Sequence, residues 1–156
     1  MLITATIITY NEEPNIARCL ESLQGIADEI IVMDSFSTDR TMEICRSFGV
    51  TFHQQKWQGY AQQKNDLNAL ATYDMILSLD ADEVLSSELQ HSILKMKALG
   101  EKGTYAVNRL TNYCGKWIYH SGWYPDIKVR LFPKSCYWEG NLVHEELVCS
   151  EAFTPS

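Results

Sequence analysis

The 156-residue sequence has a shortage of basic residues: 13 lysines and arginines stand against 20 aspartates and glutamates, for a formal net charge of −7. The basic residues form no cluster of the kind that contacts a nucleic-acid backbone, so we expect no nucleic-acid partner. A phosphate-bearing substrate would be repelled by an acidic site unless a cation offsets the charge. The charge balance therefore favours a metal-assisted site for any phosphate ligand.

Cysteine pairs of the C-x-x-C type are absent. The five cysteines are scattered and odd in number, so we expect reduced thiols in a cytoplasmic protein and neither a disulfide framework nor a zinc knuckle. These residues are Cys19, Cys45, Cys114, Cys136 and Cys149.

Long apolar runs are absent as well, and the first residues, MLITATIITYNEE, are too short and too acidic for a signal peptide. We expect any membrane contact to be peripheral. Hydrophobic residues make up 46% and charged residues 21% of the chain, which is typical of one globular domain.

Four short apolar runs, separated by helical patterns, predict a mostly parallel α/β sheet flanked by helices. They occupy residues 2–8, 30–33, 50–53 and 75–79. Beyond residue 104 the pattern changes to strand-like pieces at 105–110 and 128–132 within loops rich in Trp, Tyr and Gly. We expect this later part to be irregular.

Polar clusters follow three of the predicted strands, at residues 9–12, 34–39 and 80–83. Ligands of parallel α/β sheets bind at the carboxyl ends of the strands. The coincidence of three polar clusters at such ends predicts one binding site there.

Asp80 and Asp82 are two carboxylates two residues apart at the mouth of a buried strand. Such a pair is often a solvated turn, but it can also share a hard cation, and Mg²⁺ and Mn²⁺ prefer oxygen ligands and bridge phosphates. We interpret it as a metal site. His144 is a candidate further ligand, although a base or a hydrogen-bonded structural histidine fits it too.

The other strand-end residues admit two interpretations each. Asp34 is suited to accept hydrogen bonds from a ribose or a base, and Asp39 either does the same or starts the helix that follows it. Thr9 and Asn11 are helix-capping groups or nucleotide contacts, with Pro14 in the first turn of the helix. Lys64, alone on a predicted helix, is more typical of a solvated side chain.

Two later segments carry candidate acceptor-side groups: residues 121–126 (SGWYPD) and 140–146 (GNLVHEE). Aromatic faces stack on sugars or fill a core, and carboxylates accept a proton from an acceptor hydroxyl.

Four segments together resemble family 2 glycosyltransferases of the GT-A fold: residues 9–12 (TYNE), 34–39 (DSFSTD), 63–65 (QKN) and 79–83 (LDADE). Three later segments are similar to the subgroup of lipopolysaccharide core glycosyltransferases that includes β-1,4-glucosyltransferases: residues 121–126, 128–132 (KVRLF) and 143–145 (VHE). The resemblance runs in register from about residue 3 to 146.

The resemblance implies an inverting transfer from a nucleotide-diphospho sugar, with UDP-glucose the expected donor, to a saccharide or glycolipid acceptor such as the lipopolysaccharide inner core. It implies a divalent cation, Mg²⁺ or Mn²⁺, at Asp80 and Asp82, with Lys64 and Arg130 on the donor side. Residues expected around the nucleotide are Thr9, Asn11, Glu12, Asp34 and Asp39.

The catalytic base implied by the resemblance is Asp126 or Glu145. We expect residues 1–156 to form a single GT-A domain, with a nucleotide-sugar-binding half at 1–100, an acceptor-side half at 101–148 and an irregular tail at 149–156. Members of the subgroup continue past the His-Glu motif with further helices. Two outcomes therefore stay open for this chain alone: full transfer of the sugar, or donor binding without transfer.

Three rival functions stay open at this point. A nucleotidyltransferase needs a Gly-rich loop after the first strand, where this chain has residues 10–13 (YNEE). A donor-binding domain without turnover would bind the nucleotide and transfer nothing. A phospho-receiver domain needs an aspartate after the third strand, where this chain has residues 53–55 (HQQ).

Overall fold

The computed structural model describes residues 1–109, 111–113, 116–118, 126–141 and 144–149. Within these ranges the chain forms a mostly parallel sheet with helices between its strands, as predicted. The first four strands are β1 (Ile3–Thr9), β2 (Glu29–Asp34), β3 (Thr51–Gln54) and β4 (Met75–Asp80). The helices are α1 (Ile16–Leu23), α2 (Thr41–Ser47), α3 (Tyr60–Ala69) and α4 (Ser87–Leu99).

The later strands are shorter pieces and one long strand. They are β5 (Tyr105–Arg109), β6 (Thr111–Tyr113), β7 (Lys116–Ile118), β8 (Asp126–Pro133), β9 (Tyr137–Asn141) and β10 (His144–Val148). No helix in the described ranges is both long enough and apolar enough to cross a bilayer.

The central sheet has the strand order β3-β2-β1-β4-β8-β5. Its first four strands are parallel, while β8 pairs antiparallel with β4 and β5 pairs antiparallel with β8. The strand pieces predicted beyond residue 104 therefore extend the main sheet. In register, Thr9 lies beside Asp34, and Ile8 lies beside Asp80, so the polar clusters meet at one edge.

Burial of apolar side chains and capping of helix ends explain why these segments form strands and helices. β1 is buried on both faces, as expected for a β-branched strand in the middle of a parallel sheet. Helix α1 contributes an apolar face whose members are completely buried, among them Ile16 and Leu20. Helix α4 begins where Ser86 Oγ accepts a hydrogen bond from the Leu89 N–H, and it ends at Gly100, whose φ is 68°.

Strands β9 and β10 form a separate antiparallel hairpin in which Tyr137 is paired with Val148. The residues just outside this pair, Cys136 and Cys149, are therefore neighbours, and they form a disulfide with their Cα atoms 4.2 Å apart. The prediction of reduced thiols is wrong for these two, because strand pairing places side chains together that lie 13 residues apart in sequence. Cys19 and Cys45 are free and buried.

Candidate active site

A cleft of about 800 Å³ opens at the carboxyl ends of β1, β2 and β4, within the size range of small-molecule sites. Among the predicted donor-side residues, four line it: Thr9, Glu12, Asp80 and Asp82. The Thr9 hydroxyl is buried and has no hydrogen-bond partner among the described residues. Because buried hydroxyls are nearly always hydrogen-bonded, this one is an exception beside the cleft.

Asn11 does not cap a helix, so that interpretation is wrong. Helix α1 begins at Ile16, after an Asn15 that makes no side-chain capping bond. Asn11 adopts a positive φ of 49°, and its Oδ1 accepts a hydrogen bond from the Thr38 N–H at 2.8 Å. Its side chain thus ties the loop after β1 to the loop after β2.

Asp34 is fully buried behind the cleft and does not line it. Its Oδ2 accepts hydrogen bonds from the Ser37 N–H at 2.8 Å and from Gln54 at 3.4 Å. The Ser37 hydroxyl donates to Asp34 Oδ1 and accepts a bond from the Asn11 N–H at 2.7 Å. In this structure Asp34 shapes the strand-end loops.

Asp39 lies two residues before helix α2 and contacts its first residue, in agreement with the interpretation that places it at the start of the helix. Its Oδ1 accepts a hydrogen bond from the Thr41 N–H at 3.0 Å, and its Oδ2 accepts one from the Glu13 N–H at 3.1 Å. Burial raises the pKa of the Asp39 carboxyl, but the hydrogen bonds from Thr41 and Glu13 outweigh it and hold that pKa below its usual value.

Two cations flank the carboxylate of Asp80. Lys64 Nζ lies 3.9 Å from Oδ1, and Arg130 Nη2 lies 3.5 Å from Oδ2. Lys64 is 4% exposed and Arg130 is 6% exposed. The interpretation of Lys64 as a solvated lysine is therefore wrong. Two buried positive charges therefore lie beside a partly exposed carboxylate at the edge of the cleft.

Each of these cations is anchored by a second carboxylate. Lys64 forms an ion pair with Glu145 of β10, and Arg130 Nη2 lies 2.7 Å from Glu83 Oε1. Glu83 belongs to the LDADE motif at residues 79–83, but no function was predicted for it. Glu83 lies three residues after Asp80, which is the spacing between the two ends of a β-turn. This spacing could have predicted the contact between Glu83 and Asp80.

Asp80 and Asp82 are suited to a cation that is shared with its ligand. Asp82 is exposed, and the Asp80 side chain is 36% exposed. Among the described residues no three His, Cys, Asp or Glu side chains converge on a metal position. If this pair holds a cation, oxygen atoms of a ligand or of water would have to complete its coordination. Burial, and then the charge of Glu83, raises the pKa of the nearby Cys19 thiol to about 12, so this thiol stays protonated.

Four exposed aromatic side chains line the cleft. They were not predicted, because aromatic contacts were expected at residues 121–126. They are Tyr10, Phe36, Trp57 and Tyr60. The Trp57 and Tyr60 rings meet edge to face with centroids 4.7 Å apart. Exposed aromatic faces beside the carboxylates provide stacking surfaces for a planar ring or the apolar face of a sugar.

The predicted acceptor-side residues are described only in part. Residues 121–125 lie outside the described ranges, as do the side chains of Asp126 and His144. Asp126 begins β8 opposite Arg109, and His144 begins β10. The Glu145 side chain is 22% exposed.

Comparison with known proteins identifies the family. Residues 4–145 match the family model described as Glycosyl transferase family 2. A curated uncharacterised glycosyltransferase of Rickettsia bellii is 47% identical over 91 residues, covering 58% of this chain and 31% of its own. The lipopolysaccharide core biosynthesis glycosyltransferase LpsC of Rhizobium meliloti is 32% identical over 105 residues, covering 64% and 38%. The chain thus spans about a third of the length of these relatives.

Solved structures show the same fold. Residues 1–349 of Staphylococcus aureus TarS in complex with UDP superpose with a TM-score of 0.59 at 17% identity, covering 86% of this chain and 47% of that one. The mannosyltransferase PcManGT of Pyrobaculum calidifontis, solved with GDP-Man and Mn²⁺, gives 0.56 at 26% identity, covering 69% and 35%. Since the family model spans most of the chain and the neighbours share its GT-A sheet, the chain belongs to glycosyl transferase family 2.

Proposed function

We propose that this chain binds a nucleotide-diphospho sugar through a divalent cation and takes part in inverting transfer of the sugar to a saccharide acceptor. The observation that supports it best is the position of Asp80 and Asp82 in the strand-end cleft, with the buried charges of Lys64 and Arg130 beside them. The cleft thus presents two carboxylates, and two cations that could neutralise phosphate lie beside one of them.

The donor and acceptor are proposed from the residues and the relatives together. PcManGT was solved with a nucleotide sugar and Mn²⁺, which supports a nucleoside-diphosphate donor and Mg²⁺ or Mn²⁺ as the cation here. UDP-glucose is the donor implied by the sequence motifs. The name of LpsC supports a lipopolysaccharide core acceptor, which would place the protein at the inner face of the inner membrane.

In the proposed reaction an acceptor hydroxyl oxygen forms a bond to the anomeric carbon while the bond from that carbon to the diphosphate oxygen breaks. Lys64 and Arg130 stabilise negative charge on the departing nucleoside diphosphate. When bound, the cation at Asp80 and Asp82 supplies further Lewis-acid stabilisation of the diphosphate. The proton of the acceptor passes to a carboxylate, for which Asp126 and Glu145 are the candidates.

The test is calorimetric titration of UDP and UDP-glucose into the protein, with and without Mn²⁺. We expect Mn²⁺-dependent binding that Asp82→Asn abolishes, because the substitution removes one of the two ligand charges. The matched control is Asp74→Asn, at the opposite end of β4, where the side chain is 84% exposed. Binding that ignores Mn²⁺, or that survives Asp82→Asn unchanged, would contradict the proposal.

A further inference from the structure

Glu83 contacts both Asp80 and Arg130. Its Oε2 accepts a hydrogen bond from the backbone N–H of Asp80 at 3.0 Å, and its Oε1 accepts one from Arg130 Nη2 at 2.7 Å. Its own N–H donates back to the Asp80 carbonyl at 3.0 Å. The Glu83 side chain is only 14% exposed, so water screens these contacts less than those of a surface ion pair.

Arg130 Nη2 lies between two carboxylates and closer to one of them. It is 2.7 Å from Glu83 and 3.5 Å from Asp80. A second arginine, Arg109, also reaches Glu83, at 3.5 Å. If Glu83 lost its charge, Asp80 would be the carboxylate left to pair with the Arg130 guanidinium among the residues that the structure describes. A guanidinium paired with Asp80 competes with any divalent cation for the same oxygens.

We propose that Glu83 is a positioning residue with two effects on the metal site. Through its Oε2 it fixes the turn that carries Asp80 and Asp82. Through its Oε1 it draws the Arg130 guanidinium closer to Glu83, at 2.7 Å, than to Asp80, at 3.5 Å, which keeps the Asp80 carboxylate more available to a divalent cation. This inference rests on the proposed metal-dependent function, in which Asp80 is a ligand.

Glu83→Gln separates the two effects, because its amide oxygen still accepts from the Asp80 N–H while its NH₂ group offers the guanidinium no acceptor. We expect Mn²⁺ affinity, measured by titrating Mn²⁺ alone and following the free ion by electron paramagnetic resonance, to fall by about tenfold. Adding Arg130→Met removes the competing cation. The double variant is expected to bind Mn²⁺ within about threefold of the Arg130→Met single variant.

The control is Glu88→Gln, which makes the same charge change on the exposed first turn of α4 and is expected to leave Mn²⁺ affinity unchanged. Thermal unfolding checks that each variant is folded. If Glu83→Gln does not fold, Glu83→Asp replaces it. This variant keeps the charge but is one methylene too short to reach both partners, so we expect a loss in the same direction.

The inference is overturned if Glu83→Gln binds Mn²⁺ as tightly as the wild type, or if the double variant stays as weak as Glu83→Gln. A wild-type protein that binds UDP in a Mn²⁺-dependent manner but takes up no Mn²⁺ alone would overturn the inference and leave the proposed function standing. A wild-type protein that does neither would overturn both.

Discussion

The side chain of Asn65 forms two hydrogen bonds with the backbone of Trp138, donating to its carbonyl at 2.8 Å and accepting from its N–H at 2.7 Å. Next to it, Lys64 Nζ lies 4.7 Å from the centroid of the Trp138 ring and pairs with Glu145. Helix α3 therefore holds the β9–β10 hairpin, which lies outside the main sheet, against the donor half. The position of Glu145 depends on these contacts.

Asn65→Ala is expected to lower the free energy of unfolding by about 1 to 3 kcal/mol, because the N–H and carbonyl of Trp138 both lose their partner in a partly buried place. Urea denaturation measures the change. The control is Gln62→Ala on the exposed face of the same helix, where the side chain donates a hydrogen bond to Asp66 at 2.7 Å. Its expected effect is within about 0.5 kcal/mol. Equal losses in both variants would show that the hairpin contact adds no stability.

Lys64→Met is expected to weaken Mn²⁺-dependent UDP binding by about tenfold or more. The substitution removes a buried cation and leaves the carboxylates of Asp80 and Glu145 to repel the diphosphate. Calorimetric titration measures the affinity, and Lys64→Arg should retain more of it because it keeps the charge. Lys102→Met is the control, since Lys102 is 61% exposed in its side chain and pairs with Asp74. An unchanged affinity in Lys64→Met would remove this lysine from the donor site.

Local patterns in the sequence predicted the donor half of the fold well. The β-branched run of β1 and the apolar run of β4 are buried strands, and both lead directly into polar residues. The carboxyl ends of parallel strands share one edge of a sheet, so the meeting of Thr9, Asp34 and Asp80 at that edge followed from the predicted parallel arrangement of the strands.

Contacts between segments that are distant in sequence could not be predicted from the sequence. Asn65 and Trp138 are 73 residues apart, and no periodicity connects a helix amide to a particular backbone position on another element. The same applies to the Cys136–Cys149 disulfide, which depends on the register of β9 with β10. The burial of Asp34 was missed for a related reason, because a strand-end aspartate can face either a ligand or the neighbouring loop.

Trp57→Ala is expected to weaken UDP binding by about tenfold with little change in stability, because Trp57 is 43% exposed and stacking of a base on an aromatic ring is worth about 1 to 3 kcal/mol. Trp57→Phe keeps a ring and should lose less. The control is Tyr137→Ala, which is equally exposed at 43% and does not line the cleft. Calorimetry that gives the same affinity for the wild type and Trp57→Ala would exclude this ring from the donor site.

Asp28 joins the start of β1 to the end of α4. Its Oδ2 accepts a hydrogen bond from the Ile3 N–H at 2.9 Å and lies 2.7 Å from Lys97 Nζ. Partial burial raises the pKa of the Asp28 carboxyl, but the hydrogen bonds from Lys97 and Ile3 prevail and hold that pKa below its ordinary value of 3.8. A carboxyl whose pKa is lowered by folding stabilises the protein above the unfolded-state pKa and loses that contribution as pH falls through the folded-state pKa.

Asp28→Asn is therefore expected to cost about 1 to 3 kcal/mol of unfolding free energy near neutral pH, where the charged hydrogen bonds are intact. The difference from the wild type should shrink as pH falls below 3.8, because the wild-type carboxyl then becomes protonated and loses the same interactions. Denaturant unfolding across that pH range measures it. Asp74→Asn, whose side chain is 84% exposed, should show a small difference at every pH. A constant gap between wild type and Asp28→Asn would mean that packing of the side chain, and not its charge, stabilises this junction.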